Sequence, residues 1–500
     1  MRGWLTRPSV LLAIACFVLH ACANANYGFF RDELYFIACG LRPDWGYVDQ
    51  PALVPLLAAW AHALSGDNVW LFRLLPMLVM AATVAATAEF ARLVGGGRFA
   101  QGLSGLCVLL APIFLLGLFD TNLFQPITWL GLGWALVKLE KSEDQRWWLA
   151  FGAIAGFGLN SKYLIAFYLG ALAIGLLLTP LRKSLLRPWV WLGAALTAVL
   201  VLPNVLWQAS HGWPFIELGK AGAGHKNVVM SPAAFFLQQL LLIGPLAAPV
   251  WLAGLWAGLA RPGLKVARAF PIAWLILFAV FDASHGKAYY PSSIYPTLLA
   301  LGAVWIEGRL GNAAARGAVL GLTAACGLLV APLTLPILPV RTFLRYQQVF
   351  NFAPSSGEHQ KLGALPQYYA DMFGWPEMAR KVAAVYWALP PQDRARAVFY
   401  GENYGEAAAI DVFGRRLGLP PAISGHNQYY LWGPRGADGS VMIIIGGSPK
   451  HYDEIFASHT VAGRIDAPFA MPYETDQPIY VLRGLKTPLD RFWPSVKHYQ

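Results

Sequence analysis

The sequence predicts a polytopic α-helical membrane protein that ends in a small α/β domain, and three observations carry that reading. Of its 500 residues, 57% are hydrophobic and only 13% are charged, against roughly 25% charged in ordinary soluble domains. Apolar runs of about 17–25 residues recur from the N-terminus to residue 338, each long enough to cross a hydrocarbon core of ~30 Å. Lys and Arg fall in short clusters between those runs, where the positive-inside rule places them. The net charge of +11 therefore records topology and does not call for a nucleic-acid partner. The five cysteines (Cys16, Cys22, Cys39, Cys107 and Cys326) form no CxxC pair and none lies in the tail, so neither a disulfide framework nor a zinc site is indicated.

The first span runs from Pro8 to Ala25, with Arg2 and Arg7 holding the N-terminus in the cytoplasm. Its ACANA ending also suits a cleaved secretory signal, a competing reading that the charges of the following loops disfavour. Residues 27–67 form the first outer loop. The chain returns from Val69 to Val94, delivering Arg92 and Arg98, and crosses from Phe99 to Leu118 to an outer FDTN turn holding Asp120. It comes in from Phe124 to Leu139, goes out from Trp147 to Leu159 towards Asn160, Ser161 and Lys162, and returns from Tyr163 to Leu178 to Arg182, Lys183 and Arg187. Trp189 to Trp207 exits to a long polar loop, QASHGWPFIELGKAGAGHKNVVMS, and Phe235 to Leu259 re-enters to Arg261, Lys265 and Arg268. Phe270 to Phe281 crosses to DASHGKAYYPSS, Tyr295 to Ile306 leads back to Arg309 and Arg316, and Gly317 to Leu338 makes the last crossing. This gives about eleven transmembrane helices, each inner loop holding a basic cluster.

Beyond residue 338 charges, Pro and Tyr become frequent and no spanning run remains. The expected division is thus a membrane domain, 1–338, and a soluble domain, 339–500. Within the latter, Trp375 to Leu389 and Gly405 to Leu417 read as helices. Ala397 to Tyr400, Val441 to Ile445 and Ile479 to Leu482 read as short strands, which together suggest a small α/β unit. An odd number of crossings from a cytoplasmic start places this domain outside the membrane, in the extracytoplasmic space.

The polar residues at the expected outer face are Asp32, Glu33, Asp49, Arg73, Asp120, Lys162, His211, Lys220, His225, Lys226, His285 and Lys287. A solvated loop would explain any one of them. Carboxylates and cations gathered on one side of a bundle, where charge is expensive, point instead to a reaction centre at the lipid boundary.

Six motifs in order carry a family resemblance: RDELY, YVDQPALVP, FDTN, GLNSKYL, PNVLWQASHGWPF and HGKAYYPSSIYP. The chain resembles the membrane glycosyltransferases of the GT-C fold, family 39 type, the group that includes protein O-mannosyltransferases and the bacterial transferase that adds aminoarabinose to lipid A. The resemblance implies an inverting transferase that takes a hexosyl or pentosyl group from a polyprenyl-phosphate donor to an acceptor hydroxyl on a protein, lipid or glycan. It would act at the outer face of the inner (plasma) membrane, with no nucleic-acid partner. By similarity Asp32 is the general base, with Glu33 beside it in a supporting role or capping the loop. Lys162 and Lys287 match donor-phosphate contacts, with Tyr289, Tyr290 and Arg73 as further candidates. Interfacial anchoring is the plain alternative for the tyrosines. Asp49, Asp120, His211 and His285 are candidates for acceptor or substrate binding.

The chemistry agrees with these roles. An acceptor hydroxyl needs a base, for which a positioned carboxylate supplies typically 10²–10⁴-fold, and the departing phosphate gathers charge that preorganised cations meet. Gln50 stands where some members of the family carry a basic residue, which puts acceptor or metal binding at Asp49 in doubt. No cofactor is required. A divalent metal on Asp49 and His211 is the minor alternative, since the spacing matches no compact metal motif. A rival class is a polytopic transporter or lipid flippase. Against it, the charges sit at one face, and no Gly/Pro-broken helix pair stands out at matching positions in two halves.

The loop charges generate the first prediction. Alkaline phosphatase fused after Gln500 is expected to be active; a full-length but inactive fusion reverses the topology.

Overall fold

The computed structural model of the protein describes residues 7–221, 228–260, 263–352 and 360–500. Arg2, His225, Lys226 and Arg261 lie outside the described residues. The chain divides into two compact units.

The first unit comprises Met1–Asn26, Trp70–Trp207 and Asn227–Phe343. Its helices are apolar on most faces, so they are satisfied only by lipid or by one another. Leu74–Leu93, Pro188–Ser210, Lys265–Ala283 and Ala313–Thr334 are long and apolar enough to cross a membrane. Two further candidates are bent pairs: Ile165–Leu177 with Pro180–Leu186, turned by 108°, and Pro232–Ile243 with Ala248–Ala260, turned by 111°. Among the described residues four to six helices therefore meet the length of a span. The other predicted runs hold shorter or more polar helices, such as Pro8–Ala23, Arg98–Leu109, Gln125–Ser142, Trp147–Ser161 and Tyr295–Glu307.

The crossing read as continuous from Phe235 to Leu259 is thus broken. Gly244 takes φ 98°, which glycine adopts freely, and Pro245 follows it, so the helix cannot run through.

Helix packing in this unit uses small residues. A Cβ on Gly254 would run into the Leu298 carbonyl, and one on Gly302 into the Val250 carbonyl, so Ala248–Ala260 and Tyr295–Glu307 approach through their backbones. Buried polar side chains pin the same region. Trp274 Nε1 donates to the Tyr295 hydroxyl (3.1 Å), Tyr295 donates to Gln239 Oε1 (2.9 Å), and Gln239 Nε2 donates to the Ala288 carbonyl (2.8 Å). The last bond fixes the backbone of the HGKAYY loop.

The second unit comprises Tyr27–Val69, Gln208–Lys226 and Leu344–Gln500. Its sheet has four strands in the order β1-β2-β4-β3, where β1 is Ala397–Tyr400, β2 Val441–Ile445, β3 Phe456–Ile465 and β4 Gln477–Leu485. β1 runs parallel to β2, and β4 is antiparallel to both β2 and β3. Every residue of β2, VMIII, is buried, as a central strand covered on both faces requires. Three strands and the helices Trp375–Ala388 and Tyr404–Phe413 fall where the sequence placed them. β3 was not foreseen: most of its residues are exposed at the sheet edge, so it lacks the apolar alternation that marks a strand. The stretch 27–69 contributes two helices to this unit, Arg31–Gly40 and Leu53–Ser65. Gln208 Nε2 donates to the Tyr47 carbonyl (3.0 Å) and ties the 208–226 stretch to it.

Gly302→Val is expected to lower the thermal unfolding temperature in detergent, with a cost of about 1–3 kcal/mol typical of overpacking. An unchanged transition shows that the two helices are not in backbone contact.

Candidate active site

RDELY opens the Arg31–Gly40 helix, and adjacent positions on a helix point about 100° apart, so neighbouring carboxylates meet different surroundings. Glu33 is fully buried at the third helical position, where Oε2 accepts the Phe30 N–H at 2.9 Å. It closes the helix N-terminus as a capping glutamate does. Asp32 is half-buried, its side chain 33% exposed. The Tyr404 hydroxyl donates to its Oδ1 at 2.7 Å, and Arg31 Nε stands 3.8 Å from the same oxygen. Among the described residues Oδ2 has no hydrogen-bond partner.

Arg31 is the hub of this cluster. Its guanidinium donates to the Tyr473 hydroxyl (2.7 Å), lies 3.6 Å from Asp371 Oδ2, and sits over the Tyr404 ring at 5.2 Å. Burial alone would disfavour its charge, but Asp371, Tyr404, Tyr473 and Asp32 outweigh that and hold it protonated well above its ordinary range.

Behind Tyr404, Asn403 caps the Tyr404–Phe413 helix by accepting from the N–H groups of Gly405 (2.8 Å) and Glu406 (3.1 Å). Its amide nitrogen donates to Glu474 Oε1 (2.9 Å) and Glu406 Oε1 (3.3 Å). Both glutamates are buried. Burial pushes the Glu474 carboxyl up from 4.5 to about 7, against the opposing effects of Asn403 and Arg31. Burial, followed by the charges of Glu474 and Glu402, pushes Glu406 up as well.

Asp49 also belongs to this unit and accepts from the Tyr35 hydroxyl at 2.8 Å. That hydroxyl accepts in turn from the Gln428 N–H (3.2 Å). His211 is exposed and next to the Ser210 hydroxyl, 3.1 Å from Nδ1. Among the described residues no group of three or more His, Cys, Asp or Glu side chains is arranged to hold a metal ion, so the Asp49–His211 alternative gains no geometric support.

The remaining candidates belong to the first unit. Lys162 caps the Trp147–Ser161 helix, and its Nζ donates to Asn122 Oδ1 at 2.5 Å and lies 5.6 Å from the centre of the Tyr289 ring. Asn122 in turn donates to both Asp120 oxygens, from its backbone (2.8 Å) and its amide (2.9 Å). FDTN, NSKYL and HGKAYY thus meet at Asp120, Lys162 and Tyr289. Lys287 is half-buried two residues earlier, Tyr290 packs edge-on against Tyr289, and His285 is exposed with φ 52°. Arg73 is placed differently: it is fully buried, and its guanidinium donates to the Asn24 carbonyl at 2.5 Å. That hydrogen bond ties the start of the Leu74–Leu93 helix to the end of Pro8–Ala23.

Residues 49–207 match the family model described as dolichyl-phosphate-mannose-protein mannosyltransferase. Among solved structures, the crystal structure of ArnT from Cupriavidus metallidurans bound to undecaprenyl phosphate aligns with a TM-score of 0.63 at 16% identity. Its apo form aligns with the same score at 15% identity, and both cover 96% of this chain and 98% of ArnT. The chain has the GT-C fold. No curated protein sequence matches the chain.

The residues that complete the acidic side of this GT-C chain, Asp371, Asn403, Tyr404, Glu406 and Tyr473, were missed in the sequence. One signal was present. YGENYGE places an N-cap Asn before a Tyr-Gly pair, and a Cβ on Gly405 would run into the aliphatic stem of Arg31.

The glutamate pair generates a pH prediction. A carboxyl raised in the folded state stabilises fully below its unfolded value, and that stability is lost as pH rises through the folded value. For Glu474 the window is pH 4.5 to 7, and at about 1.4 kcal/mol per unit the loss is roughly 3 kcal/mol. Thermal unfolding in detergent should fall across that window and flatten in Glu474→Gln; an equally steep wild-type and variant profile refutes the assignment.

Proposed function

We propose that the protein is an inverting glycosyltransferase that moves a sugar from a polyprenyl-phosphate donor to an acceptor hydroxyl at the outer membrane interface. The GT-C fold, the mannosyltransferase family model over 49–207 and the undecaprenyl phosphate bound by ArnT support that class of donor. One observation carries the assignment of the base. Asp32 is held through Oδ1 while its other oxygen is unengaged among the described residues, on a side chain one-third exposed. The bent helix pairs are what a transporter reading would use, but the family model and a half-exposed, anchored carboxylate favour transfer.

In the proposed reaction the acceptor hydroxyl gives its proton to Asp32 Oδ2 as its oxygen bonds to the anomeric carbon. The bond from that carbon to the phosphate oxygen breaks on the opposite face, and its electron pair leaves with the polyprenyl phosphate. Direct displacement inverts the anomeric centre. Lys162, held by Asn122 and flanked by Tyr289, is assigned to the departing phosphate together with Lys287 and Tyr290. A fixed ammonium there needs little reorganisation as charge develops. Asp49, Asp120, His211 and His285 are assigned to the acceptor or the sugar. Glu33 supports the base by closing its helix, and Arg73 is a further candidate for the phosphate. In this proposal the N-terminus is cytoplasmic and residues 339–500 are extracytoplasmic.

The test is transfer from a labelled polyprenyl-phosphate sugar by purified variants at equal folded protein. Asp32→Asn should lose about two to four orders of magnitude in turnover with donor binding retained, whereas Lys162→Met should weaken donor binding. Glu33→Gln should mainly cost stability, by about 0.5–2 kcal/mol as for a lost cap. Wild-type turnover in Asp32→Asn beside an inactive Asp49→Asn would move the base to Asp49.

A further inference from the structure

We propose that Tyr404 is the positioning residue for Asp32: its hydroxyl fixes Oδ1 so that Oδ2 is presented to the acceptor, making the Tyr404–Phe413 helix a working part of the catalytic centre. This rests on the assignment of Asp32 as the base.

A carboxylate on a half-exposed helix turn rotates about its last bond, and a base that rotates is seldom aligned with the proton it must take. Two groups act on Oδ1 of Asp32, the Tyr404 hydroxyl at 2.7 Å and the Arg31 guanidinium at 3.8 Å. Only the first is within hydrogen-bond reach, and as a donor to an ionised acceptor it is of the stronger kind. Tyr404 is itself nearly immobile. It is 9% exposed, with its ring 4.6 Å from that of Tyr35, 4.8 Å from that of His426 and 5.2 Å from the Arg31 guanidinium carbon. Burial, only partly opposed by Arg31, keeps its hydroxyl protonated and therefore a donor.

The support continues behind the ring. Asn403, one residue earlier, is fixed by the Glu406 and Glu474 carboxyls, so the first turn of the helix has one available position. Gly405, one residue later, lets that turn close on Arg31, since a Cβ there would meet the arginine stem. Asn403, Tyr404 and Gly405 thus each serve the approach of one hydroxyl to one carboxylate oxygen. A tyrosine needed only for packing would do as well with its hydroxyl directed elsewhere. The titratable and charged groups around the pair are Arg31 on the Asp32 helix, Asp371 and His426 facing Tyr404, and Tyr35.

The experiment is a double-mutant cycle on the full-length protein, with transfer from a labelled polyprenyl-phosphate sugar as readout. Tyr404→Phe keeps the ring and its neighbours, so folding and the donor KM should hold while kcat falls roughly tenfold. In the Asp32→Asn background the same change should cost nothing further, since its effect runs through the carboxylate. A Tyr404→Phe enzyme with wild-type kcat overturns the proposal, as does an equal loss in the Asp32→Asn background. If Asp32→Asn itself keeps wild-type turnover, the base assignment fails and this inference fails with it. An inactive Asp32→Asn beside an unaffected Tyr404→Phe defeats the inference alone.

Discussion

The guanidinium of Arg31 has lost almost all contact with water, and the second unit is arranged so that this charge can stay. A buried cation without partners costs several kcal/mol even after relaxation, and removing one partner of a buried pair is more damaging than replacing the whole set. Arg31 is compensated from separate parts of the chain, by Asp371, by the Tyr473 hydroxyl, by the face of Tyr404 and by Asp32. Asp32 is thereby tied into the network through a single oxygen. One of its oxygens belongs to the network, and the other is left over.

Electrostatics in the first unit follow a different plan. Lys162 meets a neutral amide oxygen, that of Asn122, while the nearby carboxylate of Asp120 accepts from the two nitrogen donors of Asn122. The carboxylate orients the amide, and the amide orients the ammonium.

Much of this was legible in the sequence, for reasons that local chemistry explains. The apolar runs marked most helices of the first unit, and β1, β2 and β4 announced themselves as β-branched stretches between turn residues. Asp32 and Lys162 stood out because charge is rare in that composition. Other features were hidden. The break at Gly244 and Pro245 was written in the residues but masked by an unbroken apolar run on both sides, and β3 carries its polar residues along an edge. Arg73, a further candidate for the donor phosphate, is fully buried and donates to the Asn24 carbonyl. Asp371, Tyr404 and Tyr473 share no spacing with RDELY, so only the fold brings them to it. The difference between Asp32 and Glu33 is one helical step, which a sequence records and a pattern does not interpret.

The separation along the chain has a biosynthetic consequence. Arg31 and Tyr473 are 442 residues apart, and Asp32 and Tyr404 are 372 residues apart. A ribosome makes the cation several hundred residues before Asp371, Tyr404 and Tyr473. Until Asp371, Tyr404 and Tyr473 are made, the guanidinium has only Asp32 and water beside it. Burial of the RDELY turn is therefore a late event in the life of the nascent chain. A polypeptide truncated before Asp371 would keep only Asp32 of these partners beside its arginine.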